Sequence, residues 1–279
     1  MEPDMKIFDR MKKTLVIFFA LFAAAVSVDA RKLVVLHMND THSHIEAERS
    51  GEWTGHGGVI EQAALVDSVR TADGRRNVLL LHAGDFSQGT SYFSELHGDL
   101  EIKLLNAMGF DAVCLGNHEF DNGIAELARR LSSLNMPVIC SNYTFDGMAL
   151  SDLVKPYAVV RKAGLKIGIV AMLTDLSSVV DGDIASSFKY LEPAEAVSRH
   201  ASFLRNNEKC DMVICLSHCG YDEDKDIAAG MKDIDIIVGG HSHTFITEPE
   251  FVRAADEREV MIVQDGCWGL EMGQIDIEL

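Results

Sequence analysis

An alternation of short apolar runs with longer amphipathic ones, sustained from Arg31 to the end, sets the narrowest limit on how this chain can fold. Lys32 to Met38, Asn77 to Ala83, Ala112 to Leu115, Val138 to Cys140, Tyr157 to Arg161, Lys166 to Met172, Met212 to Leu216 and Ile234 to Val238 read as strands. Between them, Val59 to Val69, Leu100 to Met108, Ile124 to Leu134 and Ala194 to Leu204 have helical spacing, and Asp226 to Met231 has it for a turn or two. Glu259 to Gln264 and Glu271 to Glu278 read as closing antiparallel strands. Strands that are apolar on both faces must be covered on both sides. No repeat, low-complexity tract or Pro/Gly/Ser linker interrupts the pattern, so it predicts one α/β domain over residues 31–279.

The first thirty residues stand apart and read as an export signal. Lys12 and Lys13 form a basic start, Leu15 to Val26 is an apolar run, and Val28-Asp29-Ala30 offers a small-residue cleavage site. The run is short for a membrane span; left uncleaved, it would be an N-terminal anchor. Met11-Lys12-Lys13 is an alternative start. Export places the protein in a periplasmic or extracellular space. Disulfides are permitted there, but the six scattered cysteines prescribe no framework and read mostly as small buried hydrophobes. Cys215 and Cys219 flank His218, yet a structural zinc site needs a second close pair.

The net charge of -18 excludes a nucleic-acid polymer or an anionic membrane surface as partner, since both require basic surface. An acidic protein that handles an anion needs concentrated local positive charge, which bound metal ions supply.

Five strand ends carry metal-capable side chains. They are Asp40-Thr41-His42, Gly84-Asp85, Gly116-Asn117-His118-Glu119-Phe120-Asp121, Ser217-His218 and Gly239-Gly240-His241-Ser242-His243. Ligands of α/β sheets bind at the carboxyl ends of strands, so the five can converge. Singly, each is as well explained by a helix cap or a loop. As a set they are not.

This series resembles the calcineurin-like metallophosphoesterases. Leu36-His37-Met38-Asn39-Asp40, Leu115 to Asp121 and Leu216-Ser217-His218 point to the 5′-nucleotidases with their UDP-sugar hydrolase and cyclic-phosphodiesterase relatives. The resemblance covers nearly all of residues 32–279 and implies a two-sheet β-sandwich flanked by helices. It implies two divalent metals, with Asp40, His42 and His243 on the first, Asn117, His218 and His241 on the second, and Asp85 bridging. Many members carry Gln where this chain has His243. The nitrogen and oxygen donors suit Zn, Mn, Fe or Co.

The resemblance further implies that His118 touches the phosphate or leaving oxygen as general acid or charge stabiliser. Asp121 would hold its ring, or cap the following helix. His44 reads as a residue that orients a ligand or a substrate oxygen. His37 and His82 read as core histidines, and His56, His97 and His200 as surface ones.

The expected activity is release of phosphate from nucleoside 5′-monophosphates. 2′,3′-Cyclic nucleotide hydrolysis, nucleotide-sugar cleavage, thiosulfohydrolase chemistry and a metal-binding subunit without turnover are the competing readings. A C-terminal nucleotide-binding domain, usual in the resembled family, is not recognisable in the chain. The partners expected are therefore a small phosphorylated substrate and a separately encoded binding domain.

Overall fold

The central long strands alternate between two cores, which explains why those segments are apolar nearly throughout. In the computed structural model, which describes residues 32–279, the strands are β1 (Lys32–Met38), β2 (Val78–His82), β3 (Ala112–Cys114), β4 (Val138–Ile139), β5 (Tyr143–Thr144), β6 (Val154–Lys155), β7 (Tyr157–Lys162), β8 (Leu165–Leu173), β9 (Lys189–Tyr190), β10 (Met212–His218), β11 (Ile236–Val238), β12 (Glu250–Arg253), β13 (Glu259–Val263) and β14 (Gly273–Glu278). The helices are α1 (Val59–Asp73), α2 (Ser91–Leu96), α3 (Asp99–Met108), α4 (Ile124–Leu131), α5 (Gly182–Ala185), α6 (Pro193–Asn206) and α7 (Tyr221–Gly230). The expected leader over residues 1–30 lies outside the described residues. Among those described, no helix is long and apolar enough to cross a membrane.

Two six-stranded sheets form, in the orders β14-β1-β2-β3-β4-β6 and β12-β13-β11-β10-β8-β7, with β5 and β9 as a separate ribbon. Leu33, Val35, Leu79 and Leu81 of the first sheet meet Ile167, Ile169, Ile214 and Leu216 of the second in one buried cluster. Their alternate neighbours Val34, Leu36, Val78 and Leu80 pack outward with Val66 of α1, Leu105 of α3 and Leu127 of α4. On the other side, Val170, Val213 and Cys215 pack with Val197, Ala201 and Leu204 of α6 and Ala228 of α7. The result is the expected metallophosphoesterase sandwich, helices outside and sheets face to face.

β1, β2, β3 and β4 run parallel, as do β8, β10, β11 and β13. Here one expectation is corrected. Glu259–Val263 is parallel to β11 and antiparallel only to β12, a four-residue edge strand that its exposed, alternating sequence concealed. β14 is antiparallel to β1, as expected. The two-residue strand β4 lies inside the expected run Val138 to Cys140, whereas β5, β6, β9 and the short helices α2 and α5 were too brief for periodicity to reveal. All six cysteines are free and buried.

Candidate metal centre

The parallel strands end at one edge of the sandwich, and the candidate residues lie just beyond them. β1 leads into Asp40 and His42, β2 into Asp85, and β3 into Asn117 and His118. β10 ends on His218, and β11 leads into His241 and His243. Two groups of ligand atoms gather there, Asp40 with His42 and His243, and Asp85 with His218 and His241. Asp85 touches both, because its Oδ2 lies 3.0 Å from His218 Nε2 and 3.9 Å from His42 Nε2. Asp40 Oδ1 is 3.7 Å from His42 Nε2, 3.5 Å from His243 Nε2 and 3.8 Å from His218 Nε2.

Asp40 Oδ1, Asn117 Oδ1 and His218 Nε2 are buried without a hydrogen-bond partner. Orphaned buried polar atoms of this kind are rare, and three such donors at one place form the arrangement a cation would complete. His218 Nδ1 donates to the carbonyl of Ala83 at 2.7 Å, which leaves Nε2 as a lone pair. Asp40 Oδ2 is taken by Asn39 Nδ2 at 2.7 Å and by the His241 backbone N–H at 2.9 Å, which leaves Oδ1.

Without cations, protons occupy part of this role. Burial pushes His218 down, but Asp85 and Asp40 overrule it and hold its pKa at about 10. The Asp40 carboxylate, 3.5 Å away, raises His243 to about 10. Burial lowers His42 to about 4 and lowers His241 as well. Burial would raise Asp85, yet His218 holds it well below the usual carboxylate range. The carboxylates thus retain positive charge at the site even in the metal-free chain.

Five of the seven candidate ligands have left-handed backbones: Asp40 (φ 48°), His42 (45°), Asp85 (52°), His241 (74°) and His243 (54°). Each such residue costs about 1–3 kcal/mol, and strain of this kind collects at functional sites. Gly84 and Gly116 permit the loops to touch. A Cβ on Gly116 would fall 2.1 Å from Asp85 Oδ1, and one on Gly84 2.7 Å from the Gly116 nitrogen.

His118 lines the cleft of about 410 Å³ above the two groups, beside His42, Asp85, Asn117, His241 and His243. Its Nδ1 is 2.9 Å from Asp121 Oδ2, and its backbone N–H donates to Asp85 Oδ1 at 2.9 Å. The Asp121 hydrogen bond raises the His118 pKa. The helix-cap alternative for Asp121 is corrected, because α4 is capped by Gly123 with no side-chain hydrogen bond.

His44 lines the same cleft but pairs with Glu48 at 3.3 Å rather than with a candidate ligand. His37 is buried against Asp265 at 2.6 Å, and His82 against Thr41 Oγ1 at 3.1 Å. His56 and His97 are exposed, whereas His200 is half-buried, tilted against Tyr157. Cys215 and Cys219 belong to the outer core under α6 and α7, and neither joins a metal-capable group.

Glu119 received no role from the sequence, although it lies inside a quoted motif. Its carboxylate is fully buried and accepts from Asp85 N (2.8 Å), Gly116 N (2.7 Å), Ser87 N (3.2 Å) and Ser87 Oγ (3.0 Å). It clamps the loops that carry Asp85 and Asn117. Arg130, also buried, donates to the Glu119 carbonyl at 2.8 Å. Gln264 Oε1 accepts from Ser242 Oγ (2.9 Å) and Thr244 N (3.0 Å), which fixes the His241–His243 loop. For Glu119, closeness to Asn117 was the only sequence signal, and Arg130 and Gln264 carried none.

Comparison with known proteins agrees with this geometry. The model of the calcineurin-like phosphoesterase family matches residues 33–245. A snake venom 5′-nucleotidase of Gloydius brevicauda is 34% identical over 92% of this chain and 47% of its own length. The 5′-nucleotidase of Bos taurus is 32% identical over 88% of the chain and 46% of its own. The crystal structure of a 5′-nucleotidase precursor from Thermus thermophilus superposes with a TM-score of 0.81 at 30% identity, covering 89% of this chain and 51% of that one. The chain thus spans about half the length of the curated relatives it matches.

Proposed function

The chain belongs to the calcineurin-like phosphoesterase family, and on that basis we propose that it is a dinuclear-metal phosphoester hydrolase acting as a 5′-nucleotidase on nucleoside monophosphates. The observation that carries this reading is the meeting of two donor groups at Asp85, one largely from each sheet. Asp40, His42 and His243 would hold one ion, Asn117, His218 and His241 the other, with Asp85 shared. The domain doing this would be residues 31–279. Two divalent ions, when bound, supply Lewis-acid charge against the phosphoryl oxygens and lower the pKa of water.

The chain's own residues do the rest. His118, with Nδ1 held by Asp121, keeps Nε2 for the cleft, and its raised pKa retains a proton for the departing oxygen. The backbone bond from His118 to Asp85 ties this acid to the shared carboxylate, so the donor and the phosphoryl site move as one body. A storage site has no use for such a dyad, which favours turnover over a passive metal-binding subunit.

Among the described residues, no lysine or arginine lines the cleft. Cationic contacts to the rest of a nucleotide would come from a further domain, encoded with this chain or separately. The apolar leader supports export to a periplasmic or extracellular space, cleaved or held as an anchor.

The test is metal-dependent hydrolysis by the purified chain, in Mn or Zn, of AMP, UDP-glucose, 2′,3′-cyclic AMP and p-nitrophenyl phosphate. AMP turned over fastest is the expected outcome. Preference for the cyclic or sugar nucleotide would move the reading to those branches, and no metal-dependent turnover of any substrate would refute it.

A further inference from the structure

One wall of the cleft is aromatic, and nothing in the hydrolytic step uses it. Trp268 and His44 line the cleft together, their rings stacked at 4.9 Å and 11°. Trp268 is 40% exposed. The other lining residues outside the donor groups, Gln88, Gly89 and His118, are not apolar. A large indole beside a polar metal centre gains little from burial there.

The backbone holds it in place nonetheless. Trp268 is left-handed at φ 60°, a conformation that a bulky residue adopts only when its surroundings require it. Its N–H donates to the carbonyl of Asp40 at 2.7 Å, so the loop bearing the indole is anchored on a candidate ligand. His44 stacks on one ring face and is steadied by Glu48; no other aromatic ring among the described residues stacks on Trp268, and with the residue 40% exposed we take the second face as the open one.

We propose that Trp268 is a specificity-determining residue, whose open face stacks the planar aromatic leaving group of the phosphoester while the phosphoryl group occupies the donor site. This rests on the phosphoesterase reading above. Every aromatic ring offers a π-face, so the platform selects a class, nucleosides and aryl alcohols over aliphatic alcohols, and does not discriminate one base from another. The other aromatic pair nearby, Trp53 and Phe245, stacks at 5.2 Å and 12° but lies outside the cleft lining.

The experiment compares kcat/KM for p-nitrophenyl phosphate and for glycerol 2-phosphate in the Mn-loaded protein. Trp268→Ala is expected to lower the aryl-to-aliphatic ratio roughly tenfold, mainly through the aryl KM, and Trp268→Phe to keep most of it. An unchanged ratio, with both substrates losing the same factor, overturns the proposal in favour of a purely structural tryptophan.

A second measurement needs no turnover. The chain has two tryptophans, so in Trp53→Phe the indole emission reports Trp268 alone. Adenosine should quench it saturably, and the absence of saturable quenching overturns the platform. An enzyme inert on both esters defeats the phosphoesterase reading, while the titration still decides the role of Trp268.

Discussion

Glu119→Gln is the substitution that most directly probes how the site is held together. It preserves shape and removes one oxygen. Each carboxylate oxygen now accepts two donors, Asp85 N and Gly116 N on one side and Ser87 N and Ser87 Oγ on the other. Placing an amide nitrogen on either side faces it with a backbone N–H. One buried donor is then orphaned at about 1–3 kcal/mol, and a charge-assisted bond is lost at about 1.5–3 kcal/mol. We expect a loss near 3 kcal/mol. With a slope of about 3 kcal/mol/M for a domain of this size, the urea midpoint falls by about 1 M.

An opposing effect of similar size makes this test sharp. Burial, followed by Asp85, pushes the Glu119 pKa up to about 7 from 4.5. If that governed, the native state would bind the extra proton between those values, and wild-type stability would fall as pH rose from 4.5 through 7. The loss would amount to about 3 kcal/mol above pH 7. The glutamine variant, lacking that ionisation, would then be the more stable protein at pH 8. We expect the reverse, because three of the four contacts are backbone N–H groups that can only donate, and a protonated carboxyl could place its own O–H only by reversing the Ser87 hydroxyl. Urea titration at pH 8, in chelator, decides by sign. A variant as stable as wild type, or more so, refutes the reasoning.

Other substitutions report on the chemistry. His118→Ala should lower kcat by about 10²–10⁴-fold and leave two metals per chain by elemental analysis; joint loss of both would contradict the proposed role. Asp121→Asn removes the main cause of the raised His118 pKa. The alkaline limb of the kcat/KM profile should therefore move to lower pH, and an unmoved limb would dismiss the dyad. Gly116→Ala drives a Cβ to 2.1 Å from Asp85 Oδ1, so metal affinity should weaken about 10–100-fold in a competitive chelator titration. In the metal-free chain, His218 and His243 sit at about 10 against an ordinary value of 6.5. Their stabilisation is therefore complete below pH 6.5 and lost as pH rises through about 10. Cations must displace these protons, so calorimetry in buffers of different ionisation heat should record proton release at pH 7, and none would count against the assignment.

The chain's linear order was informative where physics is local. Continuous apolar runs located the long strands, because burial on both faces of a sheet leaves such a run, and period-3.6 apolarity located the helices. Asp40, His42, Asp85, Asn117, His218, His241 and His243 were legible as candidates because each follows such a run, and their chemistry is a property of residue type. β12 and the two-residue strands β5, β6 and β9 were not, since a strand that short exists only through its partner.

Tertiary structure decided what depends on distance between segments far apart in sequence. Only the closing of two sheets brings Asp85 against both His42 and His218, and the close approach of the loops after β2 and β3 explains why Gly84 and Gly116 cannot carry a Cβ. The same holds for Glu119 as a clamp across 34 residues and for Trp268 docked on Asp40. Sequence determines which groups are available and which face of each strand is apolar. The separations that turn carboxylates and imidazoles into one electrostatic unit arise from the packing of the whole domain.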